Sequence, residues 1–313
     1  MRVVITGGAG FIGANLARVL AGDERFEQVT VVDDLSTGHR ANLDGLDVRF
    51  VEGSINDDEV LDEACAGTDA IVHLAARPSV PRSLEDPVAT HLANATGTLS
   101  VLEAARRHGN PHVVAASSSS VYGANPTLPK GEDLRPVPLS PYAASKLATE
   151  TYALSHAHCF ALPVLVFRFF NVFGPLQPAG HAYAAAIPAF IDAALHGRPV
   201  PIDGDGKQTR DFTFVGSVAA VITEVLLART TNPDPVNLAF GSRRTILEVI
   251  DELERILDVE LEREHRPPRP GDVRHSQADR TRLERLVPHL EPVDFTSGLR
   301  ETVAWFQTLP AQA

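Results

Sequence analysis

The feature that most constrains the fold is a cluster of glycines close to the start of the chain. Gly7, Gly8, Gly10 and Gly13 follow directly after a short apolar run at 3–5 and lead into an apolar stretch with helical periodicity. Glycine allows positive φ and lets a pyrophosphate approach the backbone, while the N–H groups at a helix start hold the anion. A glycine cluster alone also suits a plain loop, but this one lies between a strand and a helix. It therefore predicts a dinucleotide-binding βαβ unit.

The second strand indicates which dinucleotide binds. An apolar run at 29–32 ends in Asp33, twenty residues past Gly13. An acidic side chain in this place can accept hydrogen bonds from both ribose hydroxyls of an adenosine. The predicted cofactor is therefore NAD rather than its 2′-phosphorylated relative.

Strand and helix patterns alternate through the first half of the chain. Such alternation is typical of an α/β fold with a Rossmann-like, doubly wound parallel sheet and right-handed crossovers. In these sheets ligands bind at the carboxyl ends of the strands. The predicted strands are 3–6, 29–32, 48–51, 70–74, 113–117 and 164–168, and the predicted helices include 13–21, 58–65, 88–108 and 142–158.

The pattern changes after about residue 175, where prolines become frequent and the strands shorten. We predict an NAD-binding Rossmann domain at 1–175 and a smaller C-terminal α/β substrate lobe at 176–313. The two are expected to interleave in part, because the apolar stretch 236–240 could return to either of them.

Composition narrows the class of protein. The net charge is −12 with 28 Lys and Arg, which gives no electrostatic footprint for nucleic-acid binding. No apolar run approaches the roughly 18 residues of a membrane span. Cys65 and Cys159 lack metal-ligand spacing, so reduced thiols and no metal site are expected. Because the chain begins directly with a strand, we expect no signal peptide and a cytoplasmic protein.

Two stretches carry the residues of a proton-transfer site. Four serines, Ser117 to Ser120, follow the fifth strand, where substrate should bind, although such a run also suits a solvated turn. Tyr142 and Lys146 follow Pro141 at a helix start and project from one helical face. The alternative is an amphipathic helix with a packed tyrosine and a solvated lysine. A phenol with a pKa near 10 is a poor base, but a neighbouring ammonium and a positive nicotinamide ring would lower that pKa.

Together these motifs resemble the extended short-chain dehydrogenase/reductase family, and most closely its nucleotide-sugar branch, of which UDP-glucose 4-epimerase is typical. The resemblance covers nearly the whole chain. It is carried by Gly7-x-x-Gly-x-x-Gly13, Asp33, His73-Leu-Ala-Ala76, Asn94, Ser118, Tyr142-x-x-x-Lys146 and Arg168-Phe-Phe-Asn-Val-Phe-Gly-Pro175.

The resemblance implies a role for each matching position. Tyr142 is the expected base, Lys146 holds the nicotinamide ribose, Ser118 binds the reacting oxygen, and Asn94 steadies the active-site helix and a water. The residues expected to contact NAD are Gly7, Gly10, Phe11, Ile12, Gly13, Asp33, Ser36, Thr37, Gly38, Ser54, Ile55, Leu74, Ala75, Ala76, Arg77, Asn94, Tyr142, Lys146 and Phe169.

The residues after Ser118 discriminate between reactions within this branch. Sugar 4,6-dehydratases carry Asp and Glu there, and UDP-glucuronate decarboxylases carry a Glu, whereas this chain has Ser119 and Ser120. Hydroxyl groups alone resemble the 4-epimerases, which need no elimination base. The expected activity is C4 epimerisation of a UDP-sugar of the UDP-glucose/UDP-galactose type through a transient 4-ketosugar.

Other activities remain open at this stage. They are an epimerase of UDP-glucuronate or UDP-N-acetylhexosamine, another NDP-sugar reductase or oxidase, and a catalytically silent NAD-sensing module. Ser276 occupies a position that resembles the gate on the 2-substituent of the sugar, and a small side chain leaves room for an acetamido group. A serine equally suits a turn cap.

The resemblance also places the sugar-diphosphate. Asn171 and the arginines Arg210 and Arg269 are expected at the diphosphate, with Asp272 near the nucleoside ribose and Ser118, Ser119, Ser120 and Tyr142 at the sugar. Guanidinium groups match phosphate oxygens well, although two surface salt bridges explain these arginines equally. Two departures from the family stand out. Ser54 replaces an Asp that reaches the adenine amine, and Arg77-Pro78 replaces the commoner polar or lysine residues, so that Arg77 is expected to take over a phosphate contact. A homodimer formed through the helices 88–108 and 142–158 is a family expectation.

Overall fold

The computed structural model describes residues 1–179, 185–267 and 273–309. The strands are β1 Arg2–Thr6, β2 Gln28–Asp33, β3 Arg49–Glu52, β4 Ala70–His73, β5 His112–Ser118, β6 Val164–Phe169, β7 Val172–Phe173, β8 Val200–Asp203, β9 Thr209–Asp211, β10 Thr213–Phe214, β11 Val236–Leu238, β12 Arg243–Thr245 and β13 Arg263–Arg266. The helices are α1 Phe11–Ala21, α2 Asp58–Cys65, α3 Val80–Glu85, α4 Pro87–His91, α5 Gly97–Arg107, α6 Pro141–Phe160, α7 Ala186–Leu195, α8 Val215–Leu227, α9 Ile246–Leu257, α10 Thr281–Leu286 and α11 Phe295–Thr308.

Seven parallel strands form the central sheet in the order β11-β6-β5-β4-β1-β2-β3. The chain winds outward in both directions from the boundary between β1 and β4, so a crevice opens there at the carboxyl ends of the strands. The predicted Rossmann-like doubly wound sheet is confirmed. All six predicted strands lie in it, with ends within two residues of the predicted ones.

Helices cover both faces of this sheet. On one face α1 and α8 pack against β1, β2 and β4 through buried aliphatic side chains. On the other face α2, α5 and α6 do the same. Strands buried on both sides are apolar along most of their length, which is why they contain runs of Val, Ile, Leu and Ala.

A second core lies among the elements that follow β6. It joins α7, α9 and α11 around a group of phenylalanines, Phe173, Phe212, Phe214 and Phe295. The later part of the chain also returns to the first: β11 pairs with β6 and completes the sheet edge. The division at residue 175 therefore stays a proposal in which the second lobe contributes β11 and α8 to the first.

The predicted helix at 88–108 is wrong as one uninterrupted helix. A π-helical turn, Leu92–Thr96, separates α4 from α5. Within this turn the carbonyl of Asn94 accepts hydrogen bonds from the hydroxyls of Thr98 and Thr149 at 2.5 and 3.4 Å. Tertiary partners thus replace part of the regular helical ladder. Among the described residues no helix is long and apolar enough to cross a membrane.

Candidate active site

The glycine turn between β1 and α1 is a backbone cradle in which side chains do not fit. Gly7 has φ +70°, and a Cβ on it would lie 2.6 Å from the amide nitrogen of Ala75. A Cβ on Gly13 would lie 2.3 Å from the carbonyl oxygen of Gly7. The turn is therefore tight, and α1 starts against it with no side chain capping its first N–H groups. This is the form of site that binds a pyrophosphate at a helix N-terminus.

Asp33 lies at the end of β2 beside this turn and is buried. Its carboxylate accepts hydrogen bonds from the backbone N–H groups of Ala9 and Leu35, each at 2.9 Å. Burial raises its pKa, and these backbone hydrogen bonds oppose that shift. A Cβ on Gly38 would lie 2.9 Å from both carboxylate oxygens, so this glycine keeps the approach to Asp33 open. The carboxylate thus lies at the rim of the cradle, where the ribose is predicted.

The remaining predicted adenosine contacts lie around the same rim. Ser36 and Thr37 are exposed, and the Ser36 hydroxyl donates to Asp34 at 2.6 Å. Ser54 accepts a hydrogen bond from the Asn56 N–H at 3.2 Å, and Ile55 is buried. The hydroxyls of Ser36 and Ser54 therefore each form a hydrogen bond within their own loop.

The segment after β4 forms the opposite wall of the crevice. Leu74, Ala75 and Ala76 follow the strand, and Ala75 touches the glycine turn closely enough to exclude a side chain at Gly7. His73 is buried beneath them between Thr6 and Thr98, at 2.8 and 3.0 Å. Burial, with a smaller contribution from the charge of Lys146, lowers the pKa of His73 to about 3, so its ring is neutral.

Asn94 ties this wall to the catalytic helix. Its side chain accepts from the Arg77 N–H at 2.7 Å and donates to the Arg77 carbonyl at 3.3 Å. It also donates to the hydroxyl of Ser145 at 2.9 Å, between Tyr142 and Lys146 in the chain. The guanidinium of Arg77 faces Asp86 at 3.8 Å, so the predicted phosphate contact competes with a carboxylate.

The predicted catalytic residues meet where β5 ends against α6. The helix begins with Ser140, whose side chain caps the Ala143 N–H at 3.1 Å, and Pro141 follows in the first turn. The Ser118 hydroxyl lies near the phenol of Tyr142 and lowers its pKa. Lys146 is buried one turn further along and donates to the carbonyl of Ala116 at 2.9 Å. The carboxyl end of β5 therefore gathers a hydroxyl, a phenol and an ammonium.

Burial dominates the electrostatics of this cluster. It raises the pKa of Tyr142, against the lowering effect of the nearby Ser118 hydroxyl. It lowers the pKa of Lys146 to about 8. The expectation that Lys146 lowers the pKa of Tyr142 below its usual value is therefore wrong for these side chains. The positive charge of a nicotinamide ring would add to the lowering effect of Ser118.

The serines after Ser118 form a short 3₁₀ turn, Ser119–Tyr122. Ser118 accepts a hydrogen bond from the Ser120 N–H at 3.2 Å, which holds its oxygen at the start of the turn. The hydroxyl of Ser120 is buried and has no hydrogen-bond partner among the described residues. Residues 119 and 120 thus bring hydroxyls and no carboxylate to the site.

Two predicted substrate contacts, Asn171 after β6 and Arg210 on β9, lie close together because Asn171 contacts Asp211. Phe169 ends that strand, and Asn171 donates to the carbonyl of Asp211 at 3.1 Å. Arg210 lies on β9 and donates to the carbonyl of Thr209 at 2.9 Å. Arg269 and Asp272 lie outside the described residues.

Sequence reasoning missed two further arginines beside Arg210. Arg243 donates to the Thr209 hydroxyl at 3.1 Å, and the ring of His275 contacts the same hydroxyl at 3.0 Å. Burial and then the charges of Arg243, Arg274 and Arg210 lower the pKa of His275, while Asp205, which pairs with Arg274 at 2.7 Å, opposes this shift. The Arg243-Arg244 pair in the sequence is the only pattern that marks this place, and it also fits a surface strand. Local positive charge of this kind suits a diphosphate in a protein that is acidic overall.

These features fit NAD. The cradle that a Cβ would fill accepts the pyrophosphate, the Asp33 carboxylate borders the ribose position, and Lys146 and Tyr142 flank the end of β5 where a nicotinamide would lie. When bound, NAD supplies a hydride acceptor beside a phenolic base. The arrangement is suited to oxidation of a secondary alcohol.

Comparisons with known proteins agree with this geometry. The family model for the NAD dependent epimerase/dehydratase family matches residues 3–239. The chain is 35% identical to the UDP-glucose 4-epimerase of Mycolicibacterium smegmatis, over 98% of this chain and 99% of that protein. It is also 35% identical to a dTDP-glucose 4,6-dehydratase of Streptomyces niveus, over 98% and 93% of the two chains. The structure of Thermus thermophilus UDP-glucose 4-epimerase in complex with NAD superimposes with a TM-score of 0.89, at 34% identity over 98% and 99% of the two chains.

Proposed function

The chain belongs to the NAD-dependent epimerase/dehydratase family, and within it we propose that the protein is a 4-epimerase of a UDP-sugar of the UDP-glucose/UDP-galactose type. The observation that carries this proposal is the all-hydroxyl turn after Ser118. Removal of water from a sugar needs an acid and a base beside the reacting carbons, and Ser119 and Ser120 supply neither. Oxidation and re-reduction at C4 need only one base and a hydride acceptor.

The site residues divide the work of this reaction. Tyr142 accepts the proton of the sugar 4-hydroxyl, and Ser118 hydrogen-bonds the same oxygen while the 4-ketosugar exists. The buried ammonium of Lys146 holds the nicotinamide ribose. Rotation of the ketosugar then presents its opposite face, and Tyr142 returns the proton. The cycle consumes no reductant overall.

The direct test is conversion of UDP-glucose to UDP-galactose by purified protein, followed by NMR without added NADH. We expect Tyr142→Phe to abolish turnover and to keep bound NAD, since the phenol supplies only the proton transfer. Tyr152→Phe is the matched control, because Tyr152 lies on the same helix and is 40% exposed. A stoichiometric demand for NADH, or loss of water from C6, would exclude the proposal. Output that survives Tyr142→Phe would instead indicate an NAD-sensing module.

Ser276 favours one second candidate, a UDP-N-acetylhexosamine 4-epimerase. Its backbone N–H donates to the Thr209 carbonyl at 3.1 Å, which places this small residue beside the strand that carries Arg210. A panel of UDP-, dTDP- and GDP-sugars, with UDP-N-acetylglucosamine and UDP-glucuronate included, ranks these substrates. Ser276→Tyr should suppress the acetamido substrate more than UDP-glucose if this position limits the 2-substituent.

A further inference from the structure

A buried ion pair lies directly behind the catalytic cluster. Arg168 on β6 donates from Nε and Nη2 to the two carboxylate oxygens of Glu150 on α6, both at 2.8 Å. The side chains are only 3% and 4% exposed. Burial disfavours the charge of Arg168, but the hydrogen bonds that it donates to Glu150 and the charge of that carboxylate raise the pKa of the guanidinium. Buried pairs of this kind are weak contributors to net stability, so their geometry calls for another explanation.

Ser117 connects this pair to the catalytic strand. Its hydroxyl donates to Oε1 of Glu150 at 2.5 Å and approaches the backbone carbonyl of Lys146 at 3.3 Å. Across the sheet, Ser117 is the direct partner of Arg168 in the pairing of β5 with β6. One carboxylate oxygen therefore receives hydrogen bonds from two adjacent strands.

Three neighbouring residues at the end of β5 face α6. The carbonyl of Ala116 binds the ammonium of Lys146, the Ser117 hydroxyl binds Glu150, and the Ser118 hydroxyl lies near the phenol of Tyr142. Along the helix, these three partners are spaced four residues apart and so share one face. Two hydrogen bonds, Ala116–Lys146 and Ser117–Glu150, thereby hold the strand against the helix, and the Ser117–Glu150 contact lies outside the predicted catalytic set.

We propose that Ser117 and Glu150 are positioning residues that fix the rotation and height of α6 against β5, so that Ser118 and Tyr142 meet beside Lys146. As far as turnover is concerned, this inference rests on the proposed function. Neither residue is expected to touch the sugar or NAD. Their effect is exerted through the distance between the Ser118 hydroxyl and the phenol.

Ser117→Ala tests the contact with little other disturbance, because it removes one hydroxyl and leaves the ion pair intact. We expect kcat to fall about tenfold, equivalent to about 1.4 kcal/mol in the barrier, with KM and bound NAD unchanged. Since the nearby Ser118 hydroxyl lowers the pKa of Tyr142, a greater separation of the two groups should move the acid limb of the kcat profile to higher pH. Ser217→Ala is the matched control: Ser217 is a buried serine on α8 that accepts from the Val293 N–H, and its loss should leave kcat unchanged.

Glu150→Gln separates positioning from stability. The amide keeps an oxygen that accepts from Ser117, but its NH₂ group faces an N–H group of Arg168 and cannot accept from it. This variant should therefore lower Tm more than Ser117→Ala does. Its folded fraction should nevertheless retain more kcat than Ser117→Ala. A purely structural role would rank the two variants in the same order in both measurements and would overturn the inference.

A second readout does not depend on the sugar. The chain has four tyrosines, so the tyrosinate absorbance of Tyr142 can be assigned by difference against Tyr142→Phe. In Ser117→Ala this phenol should titrate at higher pH than in the wild type. An unchanged titration refutes the positioning role. If the wild type converts none of the nucleotide-sugars, the proposed function fails while the titration still decides this inference.

Discussion

Replacement of Gly13 by alanine is the sharpest test of the predicted cofactor cradle. The new Cβ would lie 2.3 Å from the Gly7 carbonyl oxygen and 2.6 Å from the Gly8 Cα, whereas ordinary contacts begin at 3.4 Å. The helix start and the turn must therefore separate by about 1 Å, and both sides of the clash are backbone. Overpacking of this kind costs about 1–3 kcal/mol, and the better helix propensity of alanine offsets about 1 kcal/mol of it.

The larger effect should fall on NAD. A shift of about 1 Å misaligns backbone N–H groups with the pyrophosphate, and each hydrogen bond to a charged group contributes about 1.5–3 kcal/mol. We expect Gly13→Ala to bind NAD at least tenfold more weakly by titration calorimetry of protein stripped of cofactor, with a modest fall in Tm. Gly131→Ala is the matched control, because a Cβ there meets no atom within 4 Å. Unchanged NAD affinity in Gly13→Ala would refute the assignment of this turn to the pyrophosphate.

Three further predictions concern stability. Because the pKa of His73 is lowered to about 3 in the folded protein, the unfolding free energy should fall by up to about 1.4 kcal/mol per unit as pH drops below 6.5. Urea titrations at pH 7 and 4.5 should show a weaker pH dependence for His73→Gln, and an equal one would contradict the assignment. Burial raises the pKa of Asp211 from 3.8 to about 6, so its contribution is lost as pH rises through that window, by about 3 kcal/mol in total. Asp211→Asn should flatten stability between pH 4 and 6, and an unaltered slope would count against it. Thr245→Ala removes the capping box formed with Glu248 at the start of α9 and should cost about 1 kcal/mol by thermal denaturation, with kcat unchanged. A loss below about 0.5 kcal/mol, the lower limit for such caps, would show that this cap does not stabilise the helix.

Much of the cofactor half could be predicted because its determinants are local. The glycine spacing, the continuous apolar strands and the Tyr142–Lys146 repeat each act within a window of a few residues. The predicted sheet and family are confirmed, and every described strand of the first half lies within two residues of its predicted position.

Long-range partners explain the differences. The π turn at Leu92–Thr96 forms where the Asn94 carbonyl binds Thr149, 55 residues away. The arginines near His275 come from β9, from β12 and from the segment after residue 273, and no sequence periodicity connects these three places. Both the π turn and the arginine cluster depend on contacts between polar groups that become neighbours only after the chain has packed.

By itself the sequence determined the doubly wound sheet, the cradle for a dinucleotide and the residue types at the end of β5, because steric freedom and side-chain period act between near neighbours. The tertiary structure decided which of those groups are buried and which are held. It moved the pKa of Lys146 to about 8 and set Glu150 between Ser117 and Arg168. Desolvation and hydrogen-bond geometry depend on atoms contributed by distant segments, and these become neighbours only when the sheet and its helices assemble.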